Sequence, residues 1–220
     1  HYVIENMTTG MAQFLERGDI QTVEQLDTYC YYVAGSIGEF LTRLVKKKDG
    51  SILDESGAVA LGKVLQLTNI LKNAREDHLE GRIYLPAELR PKEVSHQYLM
   101  DGEGTDAESA RDKMLADMLG LVKKEFSPAI SYIVSIPECL SGYRAFCLLP
   151  TIMAYETLRT MKNAGSKRVF AGDRDAIKIT YGLDATILPF VREIVHLNDG
   201  KQVNAWLEEY GADPDRKPFN

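Results

Sequence analysis

Asn69, Asn73 and Asp77 recur every fourth residue, a spacing that stacks their side chains along one helix face at ~6 Å per step. Carboxylate and amide oxygens are hard donors of the kind Mg²⁺ takes, and Mg²⁺ also binds diphosphate oxygens. Gln66 and Glu76 flank that face, and Arg75 and Arg82 add cationic donors that suit the same diphosphate. By spacing alone, the commoner explanation is the solvated face of an amphipathic helix. Other chemistry finds little support. His78, His96 and His196 are scattered, without a metal-binding pair. Ser36 and Ser141-Gly142 lack the context of a nucleophile elbow. The Gly102 and Gly104 pair in a polar loop is too little for a phosphate cradle, and Lys167, Arg168 and Arg174 read better as a solvated basic turn than as a cofactor-phosphate patch.

These residues need helices to place them, and apolar residues do recur at three- and four-residue steps almost throughout. Leu26, Tyr29, Cys30, Val33, Ile37, Phe40, Leu41 and Leu44 form one stripe, with Thr22 and Gln25 as a capping box and Asp49-Gly50 as its end. Lys46, Lys47 and Lys48 suit the negative end of that helix. A second helix runs from about Ser56 to Glu80, closed by Gly81 and Pro86. A third starts at Thr105, with Glu108 completing a capping box, and runs past Pro128, where a kink or break is expected. A fourth spans about Pro137 to Asn163 around Pro150, and two shorter ones cover about 185–197 and 201–210. Strand signals reduce to Val169-Phe170 and Ile177-Lys178-Ile179. The pattern predicts an all-α, single-domain helical bundle over residues 1–220.

The bulk numbers agree. A chain of 220 residues with 45% apolar content carries a substantial core. No apolar run reaches the ~18–20 residues of a membrane span, and no secretory signal opens the chain. A net charge of −6 argues against nucleic acid as a partner. Cys30, Cys139 and Cys147 sit in apolar patterns without ligand spacing, so buried free thiols in a reducing compartment are expected.

Two longer segments carry a resemblance. Tyr29-Cys-Tyr-Tyr-Val-Ala-Gly-Ser-Ile-Gly38, followed by Gln66-Leu-Thr-Asn-Ile-Leu71 and Glu76-Asp-His-Leu-Glu-Gly-Arg-Ile-Tyr-Leu-Pro86, resembles the squalene/phytoene synthase family in motif order and separation. Gly10-Met-Ala-Gln-Phe-Leu15 resembles the helix before the tyrosine motif, and the segment from Phe146-Cys147 to Pro150 and Ala154 resembles a stretch lining the long apolar pocket. Val169-Phe170 and Ile177-Lys178-Ile179 resemble a squalene synthase stretch near the nicotinamide cofactor, which favours squalene over phytoene synthase.

The resemblance implies the isoprenoid synthase type of bundle and the condensation of two farnesyl diphosphates, through a cyclopropyl diphosphate, to squalene. It implies Mg²⁺ and NADPH as cofactors, a prenyl diphosphate substrate, and a cytoplasmic protein touching the membrane peripherally for product release. Tyr29 matches a tyrosine that assists carbocation formation or rearrangement, a role a phenol suits. Tyr32, Val33 and Gly35 would bind substrate on the same helix, where small residues leave room for the isoprenoid chain. Gln66, Asn69, Lys72 and Arg82 would serve the diphosphate, Asn73 and Asp77 the metal, Phe146 the tail, and Lys178 the nicotinamide cofactor.

Two departures stand out. Asn73 and Lys72 replace the family's usual Asp and Arg, removing one charge and one guanidinium fork. The family's first Asp-rich motif lies upstream of the tyrosine helix and is absent here. The chain is therefore expected to be the C-terminal part of one isoprenoid synthase domain, with the N-terminal helices missing, and inactive alone. The alternatives are a phytoene, dehydrosqualene or hydroxysqualene synthase needing no NADPH, or a non-catalytic helical homologue.

Overall fold

Residues 7–12 are helical, and Thr22 then opens α1 (Val23–Cys30) by accepting the Gln25 N–H on its hydroxyl at 3.1 Å. The reciprocal bond of the expected capping box falls one residue early: Gln25 Oε1 accepts the Gln21 N–H at 2.8 Å. α1 runs into a π-helical segment, Tyr31–Gly35, and then α2 (Ser36–Asp49). The periodic stripe gives no hint of that π segment, whose widened turn is a feature often found at functional sites. Gly50 ends α2 at φ 83°, a left-handed conformation open to glycine, with Lys46, Lys47 and Lys48 in the last turn. The computed structural model describes residue 5, residues 7–12 and residues 19–172. The expected helices at 185–197 and 201–210, the Ile177–Ile179 segment and Lys178 lie outside the described residues.

Asp54 starts α3 (Glu55–Leu79) by accepting the N–H groups of Ser56 and Gly57, and the Ser56 hydroxyl, followed by those N–H groups, holds its carboxyl below the usual carboxylate range. At 25 residues, α3 is ~37 Å long. Its N-terminal half is buried on several sides, at Gly57, Ala58, Ala60, Leu61, Gly62 and Val64, which makes it the helix the others surround. α2 and the π segment pack on it, as do α5 (Thr105–Ser135), α6 (Ser141–Ala164) and α7 (Ser166–Phe170). Two glycines set how closely α2 and the π segment approach α3. A Cβ on Gly38 would lie 2.2 Å from the Ala58 carbonyl oxygen, and one on Gly62 would lie 2.4 Å from that of Ala34. The short α4 (His96–Asp101) is capped by Ser95 and packs on α5.

The segment before α1 is stitched to the loop after α3. Ile20 donates its N–H to the Ile83 carbonyl, and the N–H groups of Ala87 and Glu88 reach the carbonyls of Ile20 and Gln21. The bundle is all-α, and no strand occurs among the described residues.

Several expectations change. α5 continues through Pro128 to Ser135 without a break, because the surrounding turns are held by packing on α3. Gly104, at φ 91°, takes the cap position expected of Thr105, and its carbonyl accepts the Glu108 N–H. A 3₁₀ turn, Glu138–Leu140, delays α6 to Ser141. Val169 and Phe170 are buried in α7 rather than in a strand: two apolar residues cannot by themselves distinguish helix from strand. Cys139 is exposed in that same 3₁₀ turn, while Cys30 and Cys147 are buried free thiols. No helix among the described residues is long and apolar enough to cross a membrane.

Candidate functional site

The stitched loop delivers Tyr84 to Tyr29. Their rings stack with centroids 5.1 Å apart and planes 22° from parallel. Tyr29 is buried, and burial, reinforced by its hydrogen bond with Tyr84, pushes its phenol well above the ordinary value. The phenol is therefore neutral across the physiological range.

Asp77 lies close enough to Tyr29 to act on its charge. Its carboxylate is buried, and Arg82 donates to Oδ1 through Nε at 3.0 Å and Nη2 at 2.7 Å. Burial pushes the Asp77 carboxyl up, and Arg82 only partly offsets this. Nη1 of the same guanidinium pairs with Glu80, so Arg82 spans one buried and one exposed carboxylate. One turn back, Asn73 Nδ2 donates to Asn69 Oδ1 at 3.2 Å. The i, i+4 stacking expected of Asn69 and Asn73 is thus real, and Asp77 sits at its inner edge. Asn69 and Lys72 are exposed, and Gln66 and Asn73 are half-buried.

Towards its N-terminus the same face of α3 changes character. Ala58, Leu61, Gly62 and Leu65 line an apolar cavity of about 170 Å³, together with residues of α2, α5 and α6. The expected pocket segment is there: Phe146, Cys147 and Pro150 form its α6 side, with Phe146 mostly exposed at the rim. Leu65 and Asn73 are eight residues apart, ~12 Å along the axis.

Other candidates fall elsewhere. Tyr32 is half-buried, edge-on to Tyr31 with centroids 5.6 Å apart, and Tyr31 donates its hydroxyl to Glu39 at 2.8 Å. Val33 packs against the core. Gly35 does not open space for a ligand; a Cβ there would meet Val59 at 3.1 Å, so this glycine serves helix packing. Arg75 is spent on Asp101 at 2.5 Å, away from the Asp77 side. Asp101 also takes His78 at 3.1 Å. His96 lies edge-on to His78 and is buried with neither ring nitrogen partnered, and desolvation pushes its imidazole down to about 4.

Three contributors carry no spacing signal: Tyr84, brought in by the loop, and Tyr132 and Tyr143, which reach the apolar cavity from α5 and α6. Tyr84 does fall within the motif that ends at Pro86.

No cluster of three or more His, Cys, Asp or Glu able to hold a metal occurs among the described residues. What is present is one edge of a site. Both Arg82 bonds end on Asp77 Oδ1, leaving Oδ2, with the Asn73 amide oxygen one turn away. A buried carboxylate whose charge is disfavoured gains from a nearby cation, and Mg²⁺ is commonly held by one or two carboxylates with phosphate and water. These donors fit such an ion as a partial ligand set.

Residues 1–180 match the family model described as squalene/phytoene synthase. The squalene synthase of Rattus norvegicus is 30% identical over 201 residues, which cover 88% of this chain and 47% of that protein. Squalene synthase ERG9 of Saccharomyces cerevisiae is 31% identical over 179 residues, 73% of this chain and 37% of its own. A solved ligand complex of TcSQS superposes with a TM-score of 0.66 at 25% identity, over 89% of this chain and 54% of that one. A dehydrosqualene synthase complex shares the fold, with a TM-score of 0.58 at 22% identity. The chain spans about half the length of the curated relatives it matches.

Proposed function

From the premise that this chain belongs to the squalene/phytoene synthase family, we propose that it forms one wall of the active site of a prenyltransferase that condenses two farnesyl diphosphates head-to-head. The reaction passes through a cyclopropyl diphosphate and, with NADPH, yields squalene. The observation that carries the reading is the division of one α3 face. Ala58, Leu61, Gly62 and Leu65 are apolar and line a cavity; Asn69, Asn73 and Asp77 follow as oxygen donors on the next turns. That sequence of surfaces complements an amphiphile with a long apolar tail and a multiply charged oxygen-rich head.

Each residue then has a task. Arg82 and Lys72 supply positive charge for the leaving diphosphate, with Asn69 and Gln66 as polar neighbours. Asn73 and Asp77 would hold Mg²⁺, which when bound neutralises the departing diphosphate's charge. Tyr29 keeps its proton on the buried phenol, so its oxygen and ring face meet an allylic cation without adding a second negative charge. Stacking on Tyr84 fixes that ring. The apolar lining of the cavity disfavours water, which would quench a cation as an alcohol. Phytoene or dehydrosqualene formation differs in needing no reductant, and product analysis with and without NADPH separates the two.

The test is diphosphate release from farnesyl diphosphate with Mg²⁺ present. Asp77→Ala should lower release by about 10² or more, the scale of losing one preorganised electrostatic group. In the full-length protein, release unchanged by that substitution refutes the role given to Asp77, and no release without the substitution favours a non-catalytic homologue.

A further inference from the structure

The apolar cavity has one polar feature, and it faces itself. Tyr132 Oη lies 2.7 Å from Thr42 Oγ1 and 2.7 Å from Tyr143 Oη, so hydroxyls from α2, α5 and α6 join in series. Thr42 and Tyr132 are 1% and 2% exposed. Burial pushes both phenols up, so they stay neutral. Tyr143 in turn stacks on Phe146, with centroids 6.3 Å apart and planes 16° from parallel. Tyr132, Tyr143 and Phe146 together make one side of the cavity.

A buried hydroxyl without a partner is costly, so neither tyrosine ring can swing aside without stranding another group. The Tyr132–Tyr143 side of the cavity is therefore a fixed wall. The cavity's volume of about 170 Å³ is close to the ~150 Å³ of an apolar cavity that takes a single benzene ring. Roughly six carbons fit, about one isoprene unit.

We propose that Tyr143, positioned by Tyr132 and Thr42, sets the length of prenyl chain this protein accepts, by walling the apolar cavity against the terminal isoprene unit. The inference rests on the proposed function for its ligand, while the device itself is read from the cavity and the hydroxyl chain. Tyr143 touches the tail and selects on length; Thr42 acts through Tyr132.

Calorimetric binding separates the two ideas. Ten-, fifteen- and twenty-carbon prenyl thiolodiphosphates are titrated into the full chain, and the matching prenyl alcohols, which lack the charged head, are titrated in parallel. The unaltered protein should prefer fifteen carbons to twenty by tenfold or more. Tyr143→Ala should shift that ratio at least tenfold towards the longer chain. Thr42→Val, which leaves the cavity wall in place but cuts the hydroxyl chain, should shift it in the same direction by a few fold. Tyr143→Leu provides an enlarged cavity if the alanine variant does not fold.

A ratio unchanged in Tyr143→Ala or Tyr143→Leu, with fifteen-carbon binding retained, overturns the length role and leaves the prenyltransferase reading intact. Length selection among the alcohols, with no binding of any diphosphate, supports the length role and sinks that reading. Absence of binding by both series overturns both.

Discussion

His96 makes the fold sensitive to mild acid in a calculable way. Its imidazole is 7% exposed, with neither nitrogen hydrogen-bonded. Desolvation, and then the positive charge of Arg90, lowers its pKa from 6.5 to about 4, with His78 adding to the shift and Asp101 opposing it. The folded state therefore holds the neutral ring while the unfolded chain takes up a proton, so stability falls as pH drops below 6.5 and the loss is complete below about 4. At 1.36 kcal/mol per unit, the ceiling is about 3 kcal/mol, of which about 2 is spent by pH 5. Asp54 and Asp101 have lowered pKa values, so their stabilisation is lost only below 3.8, outside this window. Asp77 is raised and works in the opposite direction, favouring the folded state as pH falls. Urea unfolding at pH 7.5 and pH 5 should show the midpoint falling by about 1 M, for a slope of ~2 kcal/mol/M. His96→Leu should remove most of that fall and cost little at pH 7.5, because the ring nitrogens have no partners to lose. An equal fall in His96→Leu would refute the assignment.

Tyr29→Phe keeps the stack on Tyr84 and deletes only the hydroxyl, so turnover should drop about 10²-fold. The affinity for a fifteen-carbon thiolodiphosphate should change little, and unchanged turnover would return Tyr29 to the core. Gly38→Ala drives a Cβ to 2.2 Å from the Ala58 carbonyl oxygen, a backbone atom with no rotamer to relax into. Urea unfolding should then show a loss of about 3 kcal/mol, and stability equal to the unaltered protein would mean that α2 and α3 can part freely.

What the sequence made legible was whatever repeats within one helix. The Asn69–Asp77 series became a single helix face, because helical periodicity is a local property, whereas the Leu26–Leu44 stripe divides at the π segment: Leu26, Tyr29 and Cys30 are buried, and Ile37, Phe40 and Leu44 are exposed. The failures have the same origin. Gly35 looks like space for a ligand until Val59 comes up against it from α3, a contact no local pattern encodes. Tyr84 reaches Tyr29 only because the bonds of Ile20 and Gln21 fold the Ile83–Glu88 segment back. Thr42, Tyr132 and Tyr143 belong to three different helices and meet only when the bundle closes. The apolar neighbours of Cys139 suggest a core position, yet in the 3₁₀ turn of Glu138–Leu140 it is exposed. The π turn at Tyr31–Gly35 leaves the spacing of apolar residues intact and so leaves no trace.

Arg82 shows how the polar end can be both satisfied and available. Nε and Nη2 are committed to the buried carboxylate of Asp77, where breaking the pair would strand a desolvated charge. Nη1 pairs with Glu80, whose side chain is 50% exposed. Exposed ion pairs contribute only about 0–1 kcal/mol, so an incoming anion exchanges with Glu80 at little cost while Asp77 keeps the guanidinium oriented. Lys could not do this, since a single ammonium lacks the fork that serves two partners at once. Under the proposed function, Asn73 in place of a carboxylate leaves one negative charge fewer near Arg82 to oppose a diphosphate head, whose tail would reach the cavity ~12 Å away.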